Sequence, residues 1–229
     1  MSMSDLPINL YFAKDVQKID ALAIANIPIN GYQLMLRAAQ AAFIVLQQHW
    51  ENAKTIAVVC GGGKNGGDGY VLAKLAKKAG LSVTVYSVGE APSKALEAKQ
   101  AHADWLAIGE KVIPFQNQQI FADVIVDAIL GTGTHFPLPQ EISQAISAIN
   151  NSHCPVFSLD LPSGLDANTG HCEEAVKATL TLTFIAMKVG LLTGKAADLV
   201  GKLVFDNLGV TASIYSQVKP CARRIDYQE

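Results

Sequence analysis

Residues 55–69 read TIAVVCGGGKNGGDG, a short apolar run followed at once by a glycine-rich segment. The run has the length of a β-strand and is apolar throughout, which is typical of a strand buried on both faces of a parallel sheet. Gly61, Gly63 and Gly66 satisfy the pattern GxGxxG, in which glycines let a pyrophosphate approach N–H groups at a helix N-terminus. The stretch therefore predicts a strand, a dinucleotide-binding loop and a helix over residues 68–79.

The same alternation of apolar runs and helical patterns continues along the chain. Further strands are expected over residues 81–88, 111–115, 123–128, 155–160, 178–184 and 202–206. Ser93 is expected to cap a helix that runs to about residue 106. Pro139 suits the first turn of another helix, whose inward face carries Ile142, Ala145, Ile146 and Ile149.

Two helical patterns precede the first long strand, with a predicted turn at residues 27–31 between them. The second carries an apolar stripe, which we interpret as core or as an oligomer contact: Leu34, Met35, Ala38, Ala39, Ala42, Phe43 and Leu46. The pattern predicts an α/β protein of three layers (α/β/α), Rossmann-like, with a mostly parallel sheet and two N-terminal helices. One domain over residues 1–229 is expected, with N-terminal helices within 1–50, a core at 55–210 and a polar tail at 216–229.

Composition excludes several classes of function. Half of the 229 residues are hydrophobic and the formal net charge is −2, so no basic surplus indicates a nucleic acid or an anionic membrane as partner. The start of the chain lacks the pattern of a signal peptide, and no apolar run approaches the roughly 18 residues of a membrane span. The four cysteines form no CxxC motif, which favours free thiols and a cytoplasmic location.

The glycine segment departs from the fingerprint of a nicotinamide dehydrogenase. Lys64, Asn65 and Asp68 lie among the glycines, and the second strand has no acidic residue at its end for the ribose hydroxyls. It is not a phosphate-binding Walker A loop, because Asn65 follows the lysine where that motif requires Ser or Thr. A tight glycine turn without any ligand is the structural alternative.

Two other predicted strands end in polar residues. Asp127 precedes a second glycine turn, and Asp160 and Ser163 follow the next strand. Loops at the carboxyl ends of parallel strands converge on one crevice, so these side chains are expected near Asn65 and Asp68. An aspartate taken alone is more often a turn former or a helix cap, but the shared position of these residues at three strand ends favours a functional role.

Four motifs in this order make the sequence recognisable: GGGKNGGDG at 61–69, VDAILGTG at 126–133, DLPSGLDANTG at 160–170 and FIAMKVGL at 184–191. Together they resemble the YjeF N-terminal domain family, the NAD(P)H-hydrate epimerases, over residues 12 to about 209. The segment MLRAA at 35–39 departs from the family pattern, which has an acidic residue and a glycine after the methionine. No ligand or dimer contact is carried over from that helix.

The resemblance implies a Rossmann-like fold, usually a homodimer, that interconverts the R and S epimers of NADH or NADPH hydrated at C6 of the nicotinamide ring. The implied substrate-binding residues are Lys64, Asn65, Gly66, Gly67, Asp68, Gly131, Thr132, Gly133, Thr134, His135, Phe136, Pro137 and Asp160. It also implies a potassium ion held by Asn65, Asp127 and Ser163 with backbone carbonyls. These hard oxygen ligands suit a weakly charged ion. A zinc site at the pairs His153-Cys154 and His171-Cys172 is a weak alternative, since adjacent residues rarely bind one ion.

The resemblance further implies a functional partner, an ATP- or ADP-dependent dehydratase that acts on the S epimer and is fused to this domain in many bacteria. No such domain fits in 229 residues, so a separate protein or a longer chain would supply it. The hydrated dinucleotide is the substrate, with potassium as the only cofactor.

For the chemistry, the hypothesis from the sequence is acid–base catalysis at Asp160, the residue implied to contact the hydrated ring. Lys188, in the fourth motif, is expected either to contact a phosphate or to be merely solvated. Ser163 is not expected to be a nucleophile, because its surroundings are not the GxSxG elbow. A nicotinamide-dependent oxidoreductase and a non-catalytic binding module remain as alternatives.

Overall fold

The computed structural model of the chain describes residues 6–26, 29–92 and 95–225. Its strands are β1 (Asn9–Tyr11), β2 (Thr55–Cys60), β3 (Ser82–Ser87), β4 (Val112–Pro114), β5 (Val124–Ala128), β6 (Val156–Leu159), β7 (Leu180–Phe184), β8 (Met187–Lys188), β9 (Lys202–Asp206) and β10 (Ala222–Arg223). Its helices are α1 (Ala13–Asn26), α2 (Gly31–His49), α3 (Lys64–Lys78), α4 (Leu96–Ala107), α5 (Gln140–Asn151) and α6 (Ala212–Tyr215). Part of the predicted turn at residues 27–31 and the predicted cap Ser93 lie outside the described residues.

A seven-stranded sheet with the order β4-β3-β2-β5-β6-β7-β9 forms the middle layer, and all its pairings are parallel. From β2 the chain continues through β3 and β4 to one edge of the sheet, whereas from β5 it continues through β6, β7 and β9 to the other edge. Connections therefore leave these two neighbouring strands on opposite sides, which opens a crevice at their carboxyl ends. The predicted parallel α/β fold is confirmed, and this crevice is where such a fold places a ligand.

Helices cover both faces of the sheet. Alternate residues of β2 point to opposite sides, because side chains along a strand alternate. Ile56, Val58 and Cys60 pack in one cluster with α2, α3 and α4. Ala57 and Val59 pack in another with the buried face of α5. This alternation explains why residues 56–60 of β2 are all apolar, and it confirms the three layers expected from the sequence.

Helix α3 begins four residues earlier than the predicted start at residue 68. Its first turns contain Asn65, Gly66 and Gly67, residues of low helix propensity, and glycine costs about 1 kcal/mol relative to alanine there. Packing compensates for this cost, because Gly66, Gly67 and Gly69 are all buried. Most of the other predicted strands are one or two residues shorter at their ends, while β9 has the predicted limits.

A second, three-stranded sheet was not predicted. It has the order β10-β1-β8, in which β1 pairs antiparallel with β10 and parallel with β8. The expectation that the chain from Ser216 onward is only a polar tail is wrong for its described part. Val218 is buried, and the N–H of Cys221 donates to the carbonyl of Leu10 at 2.9 Å. The pairing with β1 fixes the position of β8, which carries Lys188.

All four cysteines are free in the structure, as predicted. Among the described helices none is both long enough and apolar enough to cross a membrane.

Candidate functional site

A cavity of about 650 Å³ lies at the carboxyl ends of β2 and β5, in the predicted crevice. Its polar wall comes from the loops after β2, β5 and β6 and from the first turns of α3. Its apolar wall comes mainly from α1 and α2, with Ile185 and Leu208. The polar wall contains eight residues that the sequence predicted or listed as candidates: Lys64, Asn65, Asp68, Gly131, Thr132, Gly133, Asp160 and Lys188.

The turn between β2 and α3 is held by close backbone contacts. The N–H of Gly61 donates to the carbonyl of Ala128 at 3.0 Å. A Cβ atom on Gly66 would lie 1.9 Å from the carbonyl oxygen of Gly61, and one on Gly61 would lie 2.1 Å from that of Ile129. Gly63, in contrast, faces open space. Packing therefore requires glycine at Gly61 and Gly66 of the GxGxxG motif, while Gly63 leaves room for a ligand.

The N-terminus of α3 is suited to bind an anion. Its first helical hydrogen bond to Gly63 comes from the N–H of Gly67, at 3.2 Å. The N–H groups of Lys64, Asn65 and Gly66 precede that bond and have no partner within the helix. Such groups and the helix dipole together favour a phosphate.

Gly66→Ala is expected to lower the free energy of unfolding by about 1–3 kcal/mol, because the methyl group meets backbone that cannot move away. Gly63→Ala is the matched control, since the same methyl group would enter open space. Thermal or urea unfolding of both variants measures the difference. Equal stability of the two variants would contradict this account of the turn.

Asp127 lies inside the sheet, between β2 and β6. Its fully buried carboxylate accepts hydrogen bonds from Ser158 Oγ at 2.8 Å and from the N–H and Oγ of Ser163 at 2.9 and 2.5 Å. Burial raises the pKa of Asp127, and the bonds from Ser163 and Ser158 oppose that rise. Asp127 and Ser163 do not line the cavity itself but form a layer beneath it.

Asn65 connects this layer to the cavity. Its Nδ2 donates to the carbonyl of Leu130 at 2.9 Å, and Ser163 Oγ lies 3.3 Å from the same oxygen. Asn65 Oδ1 is buried and has no hydrogen-bond partner in the described structure. An unpaired buried carbonyl oxygen is costly, and a cation or water bound there would satisfy it. The three predicted potassium ligands therefore converge, and the free oxygen among them fits a cation.

The described residues offer no comparable support for a zinc site. They contain no group of three or more His, Cys, Asp or Glu side chains that could hold a metal. Phe136 packs edge-on against His171, with ring centroids 5.3 Å apart, so His171 contributes to packing.

Lys188 is buried rather than solvated, which corrects one of the two expectations for it: its exposed fraction is 1%. Its ammonium group forms an ion pair with Asp160 Oδ1. It also donates to Thr183 Oγ1 and to the carbonyl of Phe184, each at 2.9 Å. All three ammonium hydrogens thus have acceptors. Asp160 retains a side-chain exposure of 16% toward the cavity.

The backbone around this ion pair is strained. Asp160, Ile185 and Leu208 have positive φ values of 67°, 65° and 54°, and all three line the cavity. For β-branched Ile185 this conformation costs about 1–3 kcal/mol. Its N–H donates to the backbone carbonyl of Asp206 and its own carbonyl accepts from the Tyr215 hydroxyl, so neighbouring elements hold it in place. The turn at Ile185 places Lys188 next to Asp160.

Asp68 is half-buried on the polar wall and has no hydrogen bond or ion pair in the described structure. Burial raises its pKa well above the ordinary carboxyl value, and Asp160 and Asp20 add to this rise. Lys64 and Lys188 oppose it. Lys64 pairs with Asp20 rather than with Asp68, and its ammonium group lies 3.4 Å from the Asp20 carboxylate.

The other predicted site residues do not line the cavity. Gly66 and Gly67 are buried within α3, and Thr134 donates to the carbonyl of Gly131 at 3.1 Å. His135, Phe136 and Pro137 lie beyond the cavity wall on the same loop. The sequence also missed the apolar wall, since Leu34, Met35 and Ala38 were assigned to core or an oligomer contact but also face this cavity. Their helical spacing gives no signal that separates the two roles.

A doubly wound parallel sheet, with a glycine turn and a polar cavity at the point where its strand order reverses, places the chain in the class of Rossmann-like α/β proteins. More particularly, the chain belongs to the family described as YjeF-related protein N-terminus, whose model matches residues 31–190. The resemblance found in the four motifs is thereby confirmed.

Curated relatives extend the similarity beyond the matched segment. A Bifunctional NAD(P)H-hydrate repair enzyme Nnr from Coxiella burnetii is 40% identical over 96% of this chain and 45% of that protein. The Escherichia coli protein of the same name is 40% identical over 93% of this chain and 42% of its own length. The chain thus spans less than half of these two relatives. An NAD(P)H-hydrate epimerase from Legionella pneumophila is 32% identical over 92% of this chain and 81% of that protein.

A crystal structure of the yeast protein ynu0 has the same fold. It superposes with a TM-score of 0.78, covers 97% of both chains and is 17% identical in sequence. At that identity the similarity establishes the fold alone.

Proposed function

We propose that this protein is an NAD(P)H-hydrate epimerase, an isomerase that interconverts the R and S forms of hydrated NADH or NADPH. The observation that carries the proposal is one cavity that holds both an anion-binding helix N-terminus and the Asp160–Lys188 ion pair. The names of the relatives from Legionella, Coxiella and Escherichia coli support it.

The binding mode follows from the two walls of the cavity. The pyrophosphate would bind at the N–H groups that begin α3, where no intrahelical partner competes. The hydrated ring would then lie toward Asp160, whose carboxyl group reaches the cavity. The apolar wall of α1 and α2 offers a surface against which the hydrated ring can pack. Lys188 is not placed on a phosphate in this proposal, because its three donors are already used.

The reaction requires reversible loss of the hydroxyl group at C6. Protonation of that hydroxyl lets the C6–O bond break with both electrons, so that water leaves. The ring nitrogen donates its lone pair to C6 and forms an iminium cation. Water then adds to either face of C6 and releases one proton, so atoms and charge balance without an oxidant. The Asp160 carboxylate beside the cation stabilises it electrostatically.

Potassium is part of the proposal, bound by Asn65, Asp127 and Ser163. The unpartnered Oδ1 of Asn65 is the group that supports it. When bound, the ion would supply positive charge next to the buried Asp127 carboxylate and would order the loops after β2 and β5. The proton transfers do not depend on it.

The melting temperature of the protein is expected to be higher in potassium than in sodium at equal ionic strength. The expected difference is about 2–4 °C for each kcal/mol by which potassium stabilises the folded protein more than sodium does. Asn65→Leu should lose this difference, because it removes the free oxygen. Thr132→Val is the matched control on the same cavity and should keep it. An equal response of the wild type to both salts would contradict the potassium site.

The product of epimerisation indicates the partner. Because two relatives are named as bifunctional repair enzymes, we infer that a dehydratase consumes the S epimer after this protein forms it. The homodimer and the cytoplasmic location that the sequence predicts belong to the same proposal. Size-exclusion chromatography with light scattering tests the dimer.

Chromatographic separation of the two epimers tests the activity. Pure R hydrate incubated with the protein should relax to the mixture of R and S faster than in its absence. A nicotinamide-dependent oxidoreductase would instead change the amount of reduced dinucleotide and leave the hydrate ratio unaffected.

A further inference from the structure

Two carboxyl groups reach the same cavity with opposite electrostatic surroundings. Asp160 pairs with a fully buried ammonium group, whereas Asp68 has no cation and no hydrogen-bond donor of its own. A buried carboxyl group without a paired cation favours its protonated form, which can act as an acid. The sequence alone placed the acid–base chemistry on Asp160.

The geometry leaves Asp68 without a directly paired cation in the described structure. Lys188 uses its three hydrogens on Asp160, Thr183 and Phe184, and Lys64 pairs with Asp20 of α1. The free N–H groups of α3 end before Asp68, because the helical hydrogen bonds start at Gly67. The charged and titratable groups that act on Asp68 or are acted on by it are Cys60, Asp20, Lys64, Asp160 and Lys188.

We propose that Asp68 is the general acid of the reaction, the catalytic residue that holds the proton delivered to the departing C6 hydroxyl. Its O–H bond breaks as the C6–O bond breaks, and the leaving group departs as water. When water adds to the other face, its surplus proton returns to Asp68. Asp160, paired with the Lys188 ammonium group, stabilises the cation electrostatically. This inference rests on the proposed epimerase function.

The proposal predicts a distinct dependence on pH. Only protonated Asp68 is active, and its pKa is raised, so kcat/KM should fall as the pH rises through that raised pKa. Stability should follow the same window. A carboxyl group with a raised folded-state pKa destabilises the folded protein as pH rises from the ordinary carboxyl range toward the raised value.

Asp68→Asn is expected to lower kcat about 100-fold or more, with a smaller change in KM, and to remove the alkaline fall in rate. The same variant should melt at a higher temperature than the wild type, and by more at neutral than at acidic pH. A merely structural role would not give this combination. Asp198→Asn is the matched control, because it makes the same change at an exposed position outside the cavity.

The closing experiment combines these kinetics with carbon-13 NMR of the aspartate carboxyl groups, in potassium buffer without substrate. A carboxyl signal that is absent from Asp68→Asn and titrates well above the exposed aspartates, together with loss of epimerisation in that variant, supports the inference. If the wild type epimerises but Asp68→Asn does so equally well, the inference is overturned and the proposed function stands. If the wild type does not epimerise, both fail. An Asp68 signal that titrates with the exposed aspartates overturns the inference alone.

Discussion

Asp160→Asn is expected to lower kcat/KM for epimerisation about 1,000-fold, the largest effect on activity that we predict. The Asp160 carboxylate reaches the cavity in which the hydrated ring would bind, and a buried ammonium group holds it. The amide that replaces it has the same shape but no charge, so the developing cation loses its stabilisation. It keeps an acceptor oxygen for Lys188, so the cavity should keep its form. Steady-state kinetics on the separated epimers measures the loss.

Two controls separate catalysis from folding. Asp198→Asn makes the same change at an exposed position outside the cavity and should retain the wild-type rate. Dinucleotide binding by Asp160→Asn, followed by calorimetry, should change by less than about tenfold, because the α3 N-terminus is untouched. Retained turnover in Asp160→Asn would remove Asp160 from the mechanism.

Lys188→Met is expected to lower the free energy of unfolding by about 3 kcal/mol, the largest effect on stability that we predict. Removing one partner of a buried ion pair leaves the other charge uncompensated. Here Asp160 would lose its cation, and Thr183 and the carbonyl of Phe184 would lose a donor. For a chain of this length the melting temperature should fall by about 6–12 °C. Epimerisation should fall with it.

Lys64→Met is the matched control for this variant. Its ammonium group is exposed and pairs with Asp20 at 3.4 Å, so the loss should stay below about 1 kcal/mol. Adding Asp160→Asn to Lys188→Met should cost less than the sum of the two single changes, because the second removes the charge that the first left unpaired. Equal melting temperatures for Lys188→Met and Lys64→Met would show that the buried ion pair contributes no more to stability than the exposed one.

The sheet could be predicted because its strands carry their own signal. Residues 56–60 and 124–128 are buried on both faces of the sheet, so every position in them is apolar except Asp127. The helical face of Ile142, Ala145, Ile146 and Ile149 likewise packs against the sheet. In both cases the pattern in the sequence is a direct consequence of burial.

The start of α3 could not be predicted in this way. Residues 64–67 form helix against their propensity, because Gly66 packs on Gly61 and Gly67 lies where a Cβ would meet Met35. These tertiary contacts leave no trace in a local pattern. The small sheet has the same cause, since it joins β1 to β8 and β10 from distant parts of the chain.

The site was predicted where a motif marks it and missed where only the fold brings residues together. The loops that carry Asn65, Asp127 and Asp160 do converge, as their positions at strand ends predict. The ion pair between Asp160 and Lys188 joins residues 28 positions apart through a strained turn at Ile185. A lysine after a strand is ordinarily solvated, so only the structure distinguishes this one.

The most direct test of the central claim is a coupled assay that starts from pure R hydrate. A dehydratase specific for the S epimer is added with its nucleotide, and the return of NADH or NADPH is followed by absorbance. The dehydratase alone should leave the R hydrate almost untouched, and addition of this protein should lead to its complete consumption. If the R hydrate is consumed equally slowly with and without this protein, the protein is not an NAD(P)H-hydrate epimerase.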